Sequence, residues 1–230
     1  MKYEVILFDL DETLFDFEKT EKEALKNTFL HFGIKYEEEY HLNIYKEINS
    51  KFWKQLEKNE ISLKDLKNSR FKTYLETLNI PYNHVDFNKI YIKKLSEGSF
   101  LLPQAEKVIK KLAKNYRLAV ITNGFEDVQN PRIENSSIAE YFEKIIVSES
   151  VNVSKPDPRI FSITLNALKF EDKTRVLMVG DSLVSDIGGG KNFGIHTCWY
   201  NPNNLVVKEE LRPNYIINSL EELLLLGDKN

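Results

Sequence analysis

Four short clusters of polar residues, far apart in the chain, carry side chains that become useful together. They are Asp9-Leu10-Asp11-Glu12-Thr13, Thr122-Asn123-Gly124, Ser154-Lys155-Pro156-Asp157, and Gly180-Asp181 with Asp186 five residues further on. Carboxylates are hard oxygen ligands, and Mg²⁺ takes a few of them while keeping several waters. Asp9, Asp181 and the main-chain carbonyl of Asp11 could supply the protein's share of such a site. Asp186 could ligate or hold a metal-bound water. A carboxylate is also a nucleophile toward phosphorus, giving an aspartyl-phosphate. Both partners are then anionic, and a divalent cation with the Lys155 ammonium would offset the repulsion. The Thr122 hydroxyl and the Asn123 backbone N–H are donors suited to phosphate oxygens. Asp11 could protonate a leaving oxygen and then take a proton from the attacking water. Each cluster has a plainer reading, since acids cap helices and shape turns and a lone lysine is usually solvated. The chemical reading rests on all four occurring in order.

The elements around them must bring the clusters to one place. Tyr3–Phe8 is a short apolar, β-branched run that reads as a buried strand ending in carboxylates. Helices at Gln104–Lys114, near Asp127, at Pro158–Leu168, at Ser185–Phe193 and at Leu220–Leu226 alternate with strands. Those strands are Arg117–Thr122, Lys144–Ser148, Arg175–Val179, Ile195–Trp199 and Tyr215–Ile217. Such alternation predicts parallel strands joined by right-handed crossovers: an α/β, doubly wound, Rossmann-like sheet. In open sheets of that kind, ligands sit beyond the carboxyl ends of the strands, where each cluster falls. Between the first strand and the rest, helical spacing (Ala24, Leu25, Thr28, Phe29, Phe32) takes over. It predicts an inserted α-helical cap of four or five helices, broken near Gly33, Asn59 and Pro81. The expected division is a discontinuous core of residues 1–16 and 99–230 around a cap of 17–98.

Composition excludes other classes. The chain has 230 residues, 42% hydrophobic and 29% charged, with a net charge of −3. That is a globular balance, without the basic surplus of a protein that grips polynucleotide phosphates. Cys198 is the only cysteine, so no disulfide can form within the chain. The apolar runs are too short for a signal-peptide core or a membrane span. The expected location is therefore cytoplasmic. Gly188-Gly189-Gly190 lacks the Lys-Ser/Thr of a phosphate loop and suits close helix–sheet packing instead.

The four clusters resemble the motifs of the haloacid dehalogenase superfamily, in the class whose helical cap lies between the first and second motifs. The motifs read DLDETLFD (Asp9–Asp16), ITNGF (Ile121–Phe125), SKPDPRIF (Ser154–Phe161) and VGDSLVSD (Val179–Asp186). The resemblance implies Asp9 as nucleophile and Asp11 as acid/base. It also implies Thr122 and Lys155 as phosphate binders, with Asp9, Asp11, Asp181 and Asp186 around the metal. Within the superfamily the chain is most similar to the YjjG-type pyrimidine 5′-nucleotidases, on DETLFDF, ITNGF with Val128-Gln129, RVLMVGDSLVSDI and Thr197-Cys198-Trp199.

The implied activity is a Mg²⁺-dependent phosphomonoesterase acting on a nucleoside monophosphate, with Mn²⁺ as a substitute ion. A sugar-phosphate phosphatase or a β-phosphoglucomutase-like enzyme is the alternative. No polymeric nucleic acid or membrane partner is expected, and the chain is expected to be a monomer or homodimer. For the base, Phe15, Phe17 and Trp53 are candidates to stack and Arg70 to reach the substrate. Cap packing is the alternative for each of them. One departure stands out: after ITNGF the chain has Gln129-Asn130-Pro131-Arg132. Pro131, lacking a backbone donor, is expected to start that helix or distort it.

Overall fold

The computed structural model describes residues 3–57, 60–207 and 209–226. β1 (Val5–Phe8) is followed by four helices, α1 (Phe17–His31), α2 (Glu38–Glu57), α3 (Leu63–Thr77) and α4 (His84–Ser96). The chain then alternates: α5 (Ala105–Leu112), β2 (Arg117–Thr122), α6 (Glu126–Glu134), β3 (Phe142–Val147), the short α7 (Ser148–Val151) and α8 (Pro158–Ala167). It ends with β4 (Val176–Gly180), α9 (Gly189–Phe193), β5 (His196–Tyr200), β6 (Tyr215–Ile217) and α10 (Leu223–Leu226). By contacts the chain divides into two units, Met1–Phe17 with Ser99–Asn230, and Glu18–Gly98.

The first unit holds a six-stranded sheet in the order β3-β2-β1-β4-β5-β6, with every pairing parallel. Side chains alternate across a strand, and here both faces are dry. Ile6, Phe8, Leu118, Val120, Leu177 and Val179 face one layer, with Ala105, Val108, Ile109 and Leu112 of α5. Val5, Leu7, Ala119, Ile121, Val176 and Met178 face the other, with Ile160, Phe161 and Leu165 of α8. This explains why the strands read as continuous apolar runs. Each fully buried Leu, Ile or Phe stabilises the fold by about 1.5–3 kcal/mol. β1 pairs β2 on one side and β4 on the other, so the order reverses beside β1. That reversal is the switch point at which doubly wound sheets take their ligands.

The second unit is the helical cap domain. Ser62 and Asp65 form a capping box at the start of α3, and the Asn83 side chain caps α4 by accepting from Val85 N and Asp86 N. Breaks fall at Gly33, which adopts φ +66°, and at Pro81 between α3 and α4. The expected break near Asn59 lies outside the described residues. Its interior is aromatic, with Tyr45, Phe71, Tyr74, Phe87 and Tyr91 fully buried.

One expectation needs correcting. The predicted helix Ser185–Phe193 begins instead as a wide π-type turn, Leu183–Gly188, in which Asp186 N and Ile187 N both donate to Ser182 O. Of the two outcomes expected for Pro131, starting its helix does not occur: it sits inside α6, after Glu126–Asn130.

Candidate active site

β1 delivers Asp9 to the switch point. The chain then turns sharply: Glu12 adopts φ +58°, and Leu14 N and Phe15 N both donate to Leu10 O, at 2.8 and 2.9 Å. The turn brings Thr13 back under Asp9. Its hydroxyl lies 3.3 Å from Asp9 Oδ2 and 3.4 Å from Asp181 Oδ1, and it accepts the Asp181 amide at 3.0 Å. Thr13, buried completely, thus ties the end of β1 to the end of β4. The Trp199 indole donates to Asp181 O at 2.7 Å and fixes the same loop from β5.

Asp186 reaches the cluster because residue 180 is glycine. A Cβ there would stand 2.2 Å from Asp186 Oδ2. The carboxylate also accepts from Ser182 N at 3.0 Å. Glycines further on pack as expected: a Cβ at Gly189 would meet the Phe161 ring at 2.9 Å, and one at Gly190 would meet Thr197 at 2.7 Å.

Lys155 enters between β1 and β2. The Asn123 amide clips its backbone, accepting from Lys155 N at 2.9 Å and donating to Lys155 O at 2.8 Å. The Lys155 ammonium donates to Asp9 Oδ1 and to Ile121 O (2.8 Å), and lies 2.7 Å from Asp186 Oδ1. That last contact is an ion pair outside hydrogen-bonding angles, so Asp186 Oδ1 is buried without a hydrogen bond.

Asp9, Asp181 and Asp186 therefore form one cluster, with a carboxylate oxygen from each within 4.8 Å of the others. Three carboxylates face one ammonium. Burial, then repulsion from Asp186 and Asp181, pushes Asp9 well above the usual carboxylate range despite Lys155. Burial and Asp186 push Asp181 up to about 7, with Lys155 again opposing. Burial alone would lower the Lys155 pKa, but the carboxylates of Asp186 and Asp9 outweigh it and keep the amine charged. Negative charge in excess and hard oxygens at close range both fit a divalent cation.

Residues 6–200 match the haloacid dehalogenase-like hydrolases. The chain belongs to that family. It is 34% identical to pyrimidine 5′-nucleotidase YjjG of Escherichia coli over 97% of each chain. It is 33% identical to pyrimidine 5′-nucleotidase PynA of Streptococcus pneumoniae, over 100% of this chain and 97% of the relative. In three dimensions it superimposes on the magnesium-bound crystal structure of the hydrolase YfnB of Bacillus subtilis with a TM-score of 0.92. The two are 30% identical and each is fully covered.

The second carboxylate of this hydrolase's first motif is engaged apart from the cluster of Asp9, Asp181 and Asp186. The Asp11 side chain is not in the metal-type cluster. Arg132 Nη1 donates to its Oδ1 at 2.6 Å, and Gln129 Nε2 donates to its Oδ2 at 2.7 Å. Gln129 Nε2 also donates to the Thr122 hydroxyl at 2.9 Å, which leaves that hydroxyl's own proton for another acceptor. Arg132 and Gln129, both buried, lie in the stretch after ITNGF, where the sequence assigned neither of them a role. The available signal was their spacing: residues three apart share a helix face.

Of the four substrate candidates, Phe15 and Phe17 belong to the first unit and Trp53 and Arg70 to the second. Phe15 is fully buried and pairs with Leu101, while Phe17 opens α1 half-buried; the Arg132 guanidinium lies 5.3 Å from each ring. Trp53 is half-buried on α2. Arg70 is 2% exposed inside the cap domain, donating to Asn49 Oδ1 and Asn88 Oδ1 and stacked over Phe71. Phe15 and Arg70 thus present almost no surface, and the packing reading describes their surroundings. No helix among the described residues is long and apolar enough to cross a membrane.

Proposed function

We propose that the protein is a Mg²⁺-dependent phosphomonoesterase that hydrolyses nucleoside 5′-monophosphates, pyrimidine ones first, through an aspartyl-phosphate on Asp9. The observation that carries this reading is the buried group of Asp9, Asp181, Asp186 and Lys155 at the switch point of the sheet. The pyrimidine preference leans on the names of the two relatives. Asp9, Asp181 and Asp186, with the Asp11 carbonyl, would hold the cation. When bound, it supplies positive charge against the phosphoryl oxygens.

The chain's own groups account for the rest. Lys155 fixes Asp9 Oδ1 and neutralises part of the charge brought together when an anionic ester approaches an anionic nucleophile. Thr13 limits the rotation of the same carboxylate from its Oδ2 side. A carboxylate oxygen of Asp9 attacks phosphorus; the bond to the ester oxygen breaks, and that oxygen takes a proton from the Asp11 carboxyl. Asp11, now ionised, removes a proton from water. The hydroxide oxygen attacks phosphorus, the bond to Asp9 breaks, and free Asp9 and inorganic phosphate result. The Thr122 hydroxyl and the Asn123 N–H donate to the phosphoryl oxygens.

The test is phosphate release from a panel of phosphorylated metabolites with Mg²⁺, for the wild type and Asp9→Asn. Uridine and deoxyuridine monophosphates are expected to lead the panel, and Asp9→Asn to lose more than about a thousandfold in kcat while keeping its fold. Preference for hexose phosphates would overturn the substrate assignment, and an active Asp9→Asn would overturn the nucleophile.

A further inference from the structure

Asp11 is held by a device that no motif supplies. Both of its oxygens are engaged from α6, Oδ1 by Arg132 and Oδ2 by Gln129. The two partners brace one another, since Arg132 Nη1 also donates to Gln129 Oε1 at 2.7 Å. Asp11 is only part-buried, its side chain 24% exposed, whereas the Arg132 side chain is fully enclosed. A carboxylate at a site rim turns freely about two bonds. Two charge-assisted or amide donors at 2.6–2.7 Å select one orientation.

Arg132 is itself fixed by the segments that lead into and out of the cap domain. Its guanidinium lies 5.3 Å from the ring centres of Phe15 and of Phe17, the last residues before that domain. Its carbonyl accepts from the Ser99 hydroxyl at 2.9 Å, at the first residue after it. Cation–π contacts of this kind hold an arginine in place as well as shielding it from water. One residue therefore meets both connecting segments' sheet-domain ends, Phe15 and Phe17 through its guanidinium and Ser99 through its carbonyl, and its guanidinium also holds the carboxylate that handles protons.

We propose that Arg132, braced by Gln129, is a positioning residue for proton transfer by Asp11, and that it aims this carboxyl group from the two connecting segments. This rests on the phosphomonoesterase reading above. In the first half-reaction the phosphorus–oxygen bond to the leaving group breaks, and the Asp11 proton passes to that oxygen. Misaiming Asp11 harms the step in proportion to how badly the leaving oxygen needs the proton. A sugar alkoxide needs it greatly, and a nitrophenolate hardly at all.

The experiment compares uridine monophosphate with p-nitrophenyl phosphate in wild type, Arg132→Met, Arg132→Lys, Asp11→Asn and the double variant of Asp11→Asn with Arg132→Met. With Arg132→Met we expect kcat/KM, which reports only the steps up to formation of the aspartyl-phosphate, to fall about tenfold or more on the nucleotide and less than about threefold on the aryl phosphate. Arg132→Lys, which keeps a donor but not the fork, should fall between. In the Asp11→Asn background, Arg132→Met should change nothing beyond about twofold, because the group it aims is gone. Equal losses on both substrates, or an undiminished loss in the Asp11→Asn background, would overturn the proposal. Should Arg132→Met fail to melt cooperatively, Arg132→Lys carries the same comparison. Crystal structures of wild type and variant give a reading that needs no turnover. Asp11 must keep its contacts to α6 in the first and leave that orientation in the second; an unmoved Asp11 in the variant defeats the idea. A wild type that hydrolyses neither ester would refute the functional reading instead.

Discussion

The molecule has two polar interiors, and they are built on opposite principles. In the cap domain, one buried guanidinium, Arg70, and one buried carboxylate, Glu21, are bridged by Asn49, which accepts from Arg70 at 3.0 Å and donates to Glu21 at 3.1 Å. Around them Tyr45 donates to Tyr91 at 2.9 Å, and Tyr74 to His41 O at 2.9 Å. Charge there is matched, and aromatic rings seal it. At the sheet edge, Asp9, Asp181 and Asp186 crowd around Lys155 alone, and charge is not matched. A matched buried network is a way to specify one packing. An unmatched one is a standing cost to the fold, and it persists where an arriving ion and an anionic ester complete it.

The largest effect expected from this contrast is at Lys155. Lys155→Met removes the ammonium that, among the described residues, pairs with the carboxylate cluster, and should lower kcat by about a thousandfold. It should also make the folded protein depend on a divalent cation. The melting temperature without metal should fall below wild type, and Mg²⁺ should recover more of it than it adds to wild type. Melting curves with and without Mg²⁺ decide this; a variant as stable as wild type in metal-free buffer would mean that the cluster is not short of positive charge.

A smaller effect is expected at Arg70, and on stability rather than turnover. Arg70→Met takes the donor from Asn49 Oδ1 and the balancing positive charge from beside Glu21, and should destabilise the protein by about 2–4 kcal/mol in chemical denaturation. At a temperature where the variant is folded, KM and kcat should stay within about threefold of wild type. A selective rise in KM for nucleotides would instead return Arg70 to the substrate.

Why the sheet was readable and the Asp11 clamp was not follows from the range of the interactions. β1 and β4 are buried along their whole length and lead into Asp9 and Asp181, so apolar runs ending in acids mark them, and β2 and β6 have the expected bounds, whereas β3, with Glu143 and Lys144 exposed, begins two residues before the expected Lys144. Gly180 and Asp186 are near in sequence, and the glycine already hints at a close approach. Arg132 and Asp11, in contrast, are 121 residues apart, and Thr13 and Asp181 are 168 apart. Their pairing depends on the strand order, which local pattern does not encode. Arg70 was ambiguous for a related reason. It sits four residues before Tyr74, a spacing that puts both on one helix face, yet arginine is so seldom buried that this spacing does not decide between packing and substrate. The π-type turn at Leu183–Gly188 has no compositional signature at all.

The finest distinction between the two interiors is their response to pH. Asp181 is raised from an ordinary value near 3.8 to about 7, first by burial and then by Asp186, and Asp9 is raised in the same direction. Below about pH 4 these carboxyls carry protons whether the chain is folded or not. Between about pH 4 and 7 the folded protein still holds the Asp181 proton that the unfolded chain has released, so stability contributed by this group drains away as pH rises through that window. The loss is on the order of a few kcal/mol for Asp181 and is complete above its folded pKa. Metal-free protein should therefore melt lower at pH 8 than at pH 5.5. Asp181→Asn, which keeps the shape without the charge, should flatten that slope, whereas Arg70→Met should leave it unchanged. Mg²⁺ should raise the wild-type melting temperature more at pH 8, where the carboxylates are ionised, than at pH 5.5. An equal slope in wild type and Asp181→Asn would show that the excess charge at the sheet edge is neutralised within the protein itself, and the contrast with the cap domain would be lost.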